Sequence, residues 1–140
     1  MKTTSIALAA ILLAAAPTVD ASERRSEWNN PKSQAVHFTN NCRRPVKLAM
    51  RYKDTQDRWV TGGWWYFAGN ERSHLKRSST GRRVATYNRV VYYYAETTGG
   101  KRSRWSGDNQ KRLGNTVLNM KRKELRQSRD GTFTLSIKCD

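Results

Sequence analysis

The clearest pattern in the chain is an alternation of apolar and polar positions, which is typical of half-buried β-strands. In residues 45–52, every second side chain from Val46 to Tyr52 is apolar, and the residues between them are small or basic. In residues 131–138, the apolar positions from Phe133 to Ile137 alternate with hydroxyl residues and a lysine. These two segments are therefore the strongest strand predictions.

Weaker patterns predict further short strands, separated by turns rich in glycine, asparagine and aspartate. They cover residues 35–40, 64–67, 90–96, 101–105 and 116–120. Residues 74–89 have no clear assignment, and the charged segment 121–129 is interpreted as a solvated loop, with one or two helical turns as the alternative. Six to eight short strands without a long helix favour an all-β fold, a small antiparallel β-sandwich or barrel, in a single domain over residues 34–140.

The N-terminus has the pattern of a secretory signal peptide over residues 1–21. Lys2 precedes an uninterrupted apolar segment at residues 6–16, and small or compact residues lead up to a cleavage point after Ala21. The alternative is an uncleaved membrane anchor, but an apolar segment of this length is short for a bilayer. Residues 22–33 are polar and are predicted to be a flexible leader. The expected location is therefore periplasmic or secreted, with no transmembrane segment after cleavage.

Export changes the interpretation of the two cysteines, Cys42 and Cys139. Exported proteins fold in oxidising compartments, where disulfides persist. A bond between these residues would close almost the whole domain into one loop, which the chain-entropy model values at about 4–5 kcal/mol. Two free buried thiols or intermolecular pairing are the alternatives.

Composition first points towards disorder and then away from it. Leu, Ile, Val and Phe make up only 17 of residues 22–140, and the formal net charge of the chain is +16. Such values are usual in disordered chains. The same segment holds all five Trp and all six Tyr residues, however, and these bury large areas. We therefore expect a small folded domain with an aromatic core.

The aromatic residues form an ordered set of motifs. Residues 59–65 have the sequence WVTGGWW, residues 92–96 have YYYAE, and residues 105–107 have WSG. With Asn41-Cys42, the alternating strand and Gly69, this order resembles a bacterial family, the domain of unknown function numbered ten-thirty-six. The resemblance covers roughly residues 36–108.

The resemblance supports the expected fold and export but implies no activity. Family members often carry a cysteine just after the glycine turn, where this chain has Gly69-Asn70-Glu71. If that cysteine normally pairs with the first one, the resemblance leaves Cys139 as the partner of Cys42.

Three aromatic residues are candidate ligand contacts. Trp64 and Trp65 are adjacent, so in a strand they point to opposite faces, and Tyr93 likewise faces away from Tyr92 and Tyr94. An exposed ring could stack on a sugar, a lipid head group or an aromatic ligand. The alternative is that neighbouring elements cover all of these rings.

Basic residues are concentrated in the second half of the chain, where residues 71–140 carry 17 Lys and Arg against 6 Asp and Glu. Lys101, Arg102 and Arg104 form one of the densest groups and are predicted to bind an anion. The alternative is an evenly basic, solvated surface.

Conventional catalytic and metal motifs are absent from the sequence, so no cofactor, metal site or catalytic residue is predicted. His37 and His74 are possible general bases, but neither has a partner at motif spacing. Glu96 is interpreted as an ion-pair partner of an arginine, with a buried acid of raised pKa as the alternative.

These observations predict an exported non-enzymatic binding module for an anionic envelope or extracellular ligand. The candidate partners are phosphate groups, acidic glycans and acidic proteins, while nucleic acid is unlikely because export separates it from the protein. The alternatives are a hydrolase or transferase with an unrecognised site, and a structural envelope protein.

Overall fold

The computed structural model describes residues 33–139, which form eleven β-strands in two sheets. The strands are β1 (Gln34–Asn40), β2 (Val46–Lys53), β3 (Trp59–Phe67), β4 (Arg72–His74), β5 (Ala85–Thr86), β6 (Val90–Thr97), β7 (Arg104–Trp105), β8 (Asn109–Leu113), β9 (Thr116–Glu124), β10 (Arg126–Gln127) and β11 (Phe133–Ile137).

The predicted all-β architecture is confirmed. The strands outnumber the expected six to eight, because β5, β7 and β10 have two residues each. One sheet has the order β10-β11-β1-β4, with β5 also pairing β1. The other has the order β3-β2-β6-β9-β8, with β7 also pairing β6. We refer to them as the five-stranded and the six-stranded sheet.

The main core lies between the two sheets. The apolar side chains of β2 from Val46 to Tyr52 are buried there, as their alternation predicts. The five-stranded sheet contributes Phe38 and Leu135, which are both fully buried. The sheets thus bury the apolar positions that the sequence pattern identifies.

One strand pair departs from the expected antiparallel arrangement. β1 and β11 pair in parallel, with Asn40 opposite Ile137. Parallel strands have their C-terminal ends at the same edge of a sheet. Cys42 and Cys139, each two residues beyond that pair, therefore lie close together. They form a disulfide with a Cα–Cα distance of 5.1 Å. The predicted pairing is confirmed, and the bond points to an oxidising compartment.

The charged segment 121–129 lies mainly in the end of β9 and in β10, so its interpretation as a loop or helical turns is wrong. β9 continues to Glu124 because it pairs with β6 over its last four residues. The antiparallel pairing runs from Lys121 opposite Tyr93 to Glu124 opposite Val90. The cationic side chains of β9 remain exposed to solvent. Ladder hydrogen bonds, rather than burial, extend this strand.

The Trp-rich segment is longer than predicted. β3 runs without a break from Trp59 through Gly62 and Gly63 to Phe67, although the prediction began at residue 64. Leu48 pairs with Trp65 and Met50 with Gly62, so β3 has one more residue than β2 between these two pairs. The register shift of a β-bulge accommodates that extra residue. The strand predicted at residues 101–105 is, in contrast, shorter than expected and consists of the two residues of β7.

The signal peptide predicted at residues 1–21, and the predicted leader up to residue 32, lie outside the described residues. Ser33, the last residue of that leader, is buried. Residues 33–139 contain no helix that is long and apolar enough to cross a bilayer.

Candidate functional site

The six-stranded sheet carries a second, smaller cluster on the face that points away from the main core. Its buried members are Ala49, Tyr94, Leu118 and Met120, and they are covered by Trp64, Tyr92 and Leu113. The sheet can curl around this cluster because β3 approaches β8 closely at Gly63. A Cβ added there would lie 3.1 Å from Ala49 and 3.2 Å from Leu113, and the φ angle of +147° also favours glycine.

Strand pairing aligns three side chains on this same face. Arg51 of β2 lies opposite Tyr92 of β6, and Tyr92 lies opposite Arg122 of β9. At the outer end of this row, the Arg51 guanidinium donates a hydrogen bond to the Thr61 hydroxyl at 3.1 Å. The result is a row in which one tyrosine lies between two arginines on neighbouring strands.

Two further side chains extend the row around Tyr92. The Trp59 ring centroid is 5.8 Å from that of Tyr92, and the Lys111 Nζ is 4.8 Å from the centre of the Tyr92 ring. Trp59 is 37% exposed, so its ring surface is accessible. We call the set Arg51, Trp59, Tyr92, Lys111 and Arg122 the aromatic–basic face.

Within the part of the chain that the structure describes, no carboxylate forms an ion pair with a cation of this face. Within residues 33–139, ion pairs involve Lys47, Lys53 and Arg58, and none involves Arg51, Lys111 or Arg122. Cations grouped without counter-charges attract anions from solution.

At the other end of the same sheet face, Glu96 is held in a local network. Its carboxylate lies 3.1 Å from Lys47 Nζ and accepts a hydrogen bond from the Tyr94 hydroxyl at 2.8 Å. Burial raises the pKa of Glu96, but the hydrogen bonds from Tyr94 and Lys47 outweigh it and lower the pKa. The ion-pair partner is thus a lysine rather than the expected arginine, and the alternative of a raised pKa is wrong.

The two tryptophans predicted as ligand contacts lie on opposite faces, as expected. Trp64 belongs to the smaller cluster, where the Lys47 Nζ is 4.4 Å from its ring centre and Tyr94 packs edge-on at 5.9 Å. Trp65 packs against the main core, and its indole N–H donates to the Lys76 carbonyl at 2.7 Å. Both rings are partly covered, so neither is a fully exposed surface.

Tyr93 does not qualify as a ligand contact. It faces away from Tyr92 and Tyr94 as predicted, but that direction leads into the main core, where it is 4% exposed. Burial raises the pKa of its phenol. No ring surface of Tyr93 remains for a ligand.

The predicted basic group lies at the Glu96 end of the face. Arg104 is opposite Glu96 in β7, while Lys101 and Arg102 occupy the loop before it, and all three side chains are exposed. The loop is tied down by Arg44, which donates to the Lys101 carbonyl. Arg104 and Trp64 therefore approach the same network, whereas Trp65 and Tyr93 are on the other side of the sheet.

Sequence reasoning missed most of the aromatic–basic face. Arg51 occupies a polar position of the alternating segment 45–52, and Tyr92 is the first of three consecutive tyrosines. The sequence around each residue therefore predicts a strand, but it does not predict a shared site. Their alignment with Arg122 depends on β9 continuing past residue 120 and pairing with β6. Spacing along the chain does not contain that information.

The two histidines are direct cross-strand neighbours on the five-stranded sheet. Their ring centroids are 4.7 Å apart, and both Nδ1 atoms are buried without a hydrogen-bond partner among residues 33–139. Burial, followed by the charge of Arg72 for His37 and of Arg83 for His74, lowers both pKa values. Residues 33–139 contain no group of three or more His, Cys, Asp or Glu side chains arranged to hold a metal ion.

Comparison with known proteins adds no relative. A scan against protein-family models, a search of curated proteins and a search of solved structures each gave no match.

Proposed function

We propose that the protein is an exported, non-enzymatic binding module for an anionic ligand of the cell envelope or the extracellular medium. Export is supported by the apolar segment at residues 6–16 and by the Cys42–Cys139 disulfide. The location would be the periplasm or the outside of the cell. The resemblance to the family numbered ten-thirty-six remains a prediction that agrees with this location.

The observation that carries the proposal is the row of Arg51, Tyr92 and Arg122 across three paired strands. Arginine binds carboxylate and phosphate groups through two parallel hydrogen bonds, and it is weakly hydrated. An aromatic ring between two such groups offers a flat apolar surface beside the charges. An acidic glycan fits this combination best, because it presents rings and negative groups at short intervals.

The test is binding of a fluorescein-labelled polyuronate, compared with neutral dextran carrying the same label. The wild-type protein should bind the polyuronate, and the double variant Arg51→Ser/Arg122→Ser should lose about tenfold in affinity, since solvent-accessible ion pairs contribute about 0.2–1 kcal/mol each and about 1.4 kcal/mol corresponds to a factor of ten. Affinity should fall with added salt because exposed charges are screened.

The matched control is Arg126→Ser/Arg129→Ser, which removes the same charge next to the five-stranded sheet. It should retain most of the affinity. Equal losses in the two double variants would show that net charge alone drives binding, and equal binding of dextran would remove the requirement for an anion.

A further inference from the structure

A second basic surface lies on a short hairpin between β4 and β5, and its residues are different from those of the aromatic–basic face. Leu75 and Val84 anchor its base, since both are fully buried and the Val84 amide donates to the Leu75 carbonyl at 2.7 Å. Near its tip, the Arg77 amide donates a hydrogen bond to the Arg82 carbonyl at 2.7 Å. Gly81 has the positive φ of 68° that the turn requires. These contacts fix the backbone of the hairpin.

The hairpin is rich in cations and lacks carboxylates. Between Glu71 and Glu96 the chain has six Lys and Arg residues and no Asp or Glu. Arg77, Arg82 and Arg83 are exposed, and none of them forms an ion pair with any residue of the described range 33–139.

These three arginines line a hollow of about 120 Å³. The hydroxyl residues Tyr52, Thr55 and Thr80 contribute to its wall. On the same measure, a cavity for one water molecule has a volume of about 10–15 Å³, so the hollow has room for a group of several heavy atoms.

The one carboxylate at the hollow, Asp54, is engaged elsewhere. It is 4% exposed, and its Oδ1 accepts hydrogen bonds from the amides of Gln56 and Arg58, both at 2.9 Å. Its Oδ2 faces the Arg58 guanidinium at 3.4 Å. Its charge is therefore largely compensated within its own turn.

Tyr52 adds a neutral group to this charged site. Burial raises the pKa of its phenol, the Arg77 charge lowers that pKa, and the Asp54 charge raises it. The net direction is upward, so the hydroxyl stays protonated at neutral pH and can donate a hydrogen bond.

A groove of about 250 Å³ lies next to the hollow, beside the Trp-rich strand. Tyr52 and Arg77 line both spaces, while Gly62, Trp65 and Ser78 line the groove. A charged group in the hollow would thus leave the rest of its molecule beside an indole ring and a hydroxyl.

We propose that the hollow binds the phosphate group of a phosphorylated sugar, with the sugar ring in the groove. Arg77, Arg82 and Arg83 supply donors in the planar geometry that suits phosphate, and Thr80 and Tyr52 supply neutral donors. The groove accounts for the sugar because it combines an aromatic surface with polar groups. None of the residues that line the hollow belongs to the aromatic–basic face.

Isothermal titration calorimetry with glucose 6-phosphate, inorganic phosphate and glucose tests the proposal. Glucose 6-phosphate should bind most tightly, inorganic phosphate more weakly, and glucose least. Arg82→Ser/Arg83→Ser should weaken glucose 6-phosphate binding at least about tenfold. Arg77→Lys should also weaken it, because lysine cannot form the paired hydrogen bonds.

Two comparisons separate this site from general charge effects. Arg126→Ser/Arg129→Ser removes equal charge elsewhere, and Lys111→Ser/Arg122→Ser alters the aromatic–basic face at residues that line neither the hollow nor the groove, so both should leave glucose 6-phosphate binding unchanged. Equal affinity for inorganic phosphate and glucose 6-phosphate would overturn the role of the groove. Unchanged binding in Arg82→Ser/Arg83→Ser would overturn the site itself.

Discussion

Trp64 and Trp65 are consecutive in β3 and belong to different cores. Trp64 covers the small cluster on the outer face of the six-stranded sheet, and Trp65 packs against the main core between the sheets. A Trp-Trp pair in a strand thus serves two layers at once, because successive side chains point to opposite faces.

The two tryptophans should differ in their contribution to stability. Trp65→Ala removes contacts with the main core and an indole hydrogen bond to the Lys76 carbonyl, so it should cost about 3–5 kcal/mol. Trp64→Ala affects a cluster with four buried members and should cost less. Urea unfolding at equilibrium measures both values. Equal and severe losses would show that the outer cluster is as important for stability as the main core.

Local patterns predicted the main core well, because burial of one face imposes a period of two on each strand. Val46 to Tyr52 and Phe133 to Ile137 are buried where the alternation places them. The aromatic–basic face was not predicted, since it depends on which strands pair and in which register. Arg122 was the hardest case, because charged residues in an exposed strand follow the same local pattern as a solvated loop.

Removal of the disulfide should destabilise the domain strongly. The bond joins residues 97 positions apart, and the chain-entropy model gives about 4–5 kcal/mol for a loop of this length. Cys42→Ala/Cys139→Ala should lower the urea midpoint, and thiol titration of the unfolded wild-type protein without reductant should find no free thiol. Two reactive thiols per chain would contradict the pairing.

Gly69 should tolerate no side chain. A Cβ at this position would overlap the backbone carbonyl of Arg43, which cannot move aside as a flexible side chain could. Gly99 is the matched control, because a Cβ there has no heavy atom within 4 Å. Gly69→Ala should lower the melting temperature clearly and Gly99→Ala should change it little. A neutral Gly69→Ala would show that the turn after β3 shifts readily.

Acid should destabilise the protein through the histidine pair. The pKa values of His37 and His74 are lowered in the folded state, first by burial and then by Arg72 and Arg83, although Asp130 opposes the effect. The unfolded chain then binds protons more tightly, with a pKa of about 6.5. Stability should be full above that pH and decrease as the pH falls through the folded pKa values. Urea midpoints between pH 8 and 5 measure this decrease.

The control for this pH dependence is His37→Gln/His74→Gln, which has no imidazole to titrate. Its urea midpoint should vary less over the same range than that of the wild-type protein. If both proteins lose stability equally between pH 7 and 5, other groups cause the decrease.

Lys101, Arg102 and Arg104 should contribute to anion binding without supporting the fold. Their side chains are exposed, and the loop is fixed through the Lys101 carbonyl, which remains in any side-chain variant. Lys101→Ser/Arg102→Ser/Arg104→Ser should weaken binding to vesicles containing phosphatidylglycerol and leave the melting temperature nearly unchanged. Added salt should weaken wild-type binding as well, because exposed charges are screened over about 8–10 Å near physiological ionic strength.

The control for this triple variant is Arg126→Ser/Arg129→Ser/Lys138→Ser, which removes the same charge from the part of the chain around β10 and β11. Both triple variants lose three positive charges, so a difference in their affinity for the vesicles measures the effect of the position of those charges. Arg104 lies opposite Glu96, whose carboxylate is already paired with Lys47, so its guanidinium remains available to a ligand. Vesicle binding that ignores both the substitutions and the salt concentration would contradict an electrostatic role for this loop.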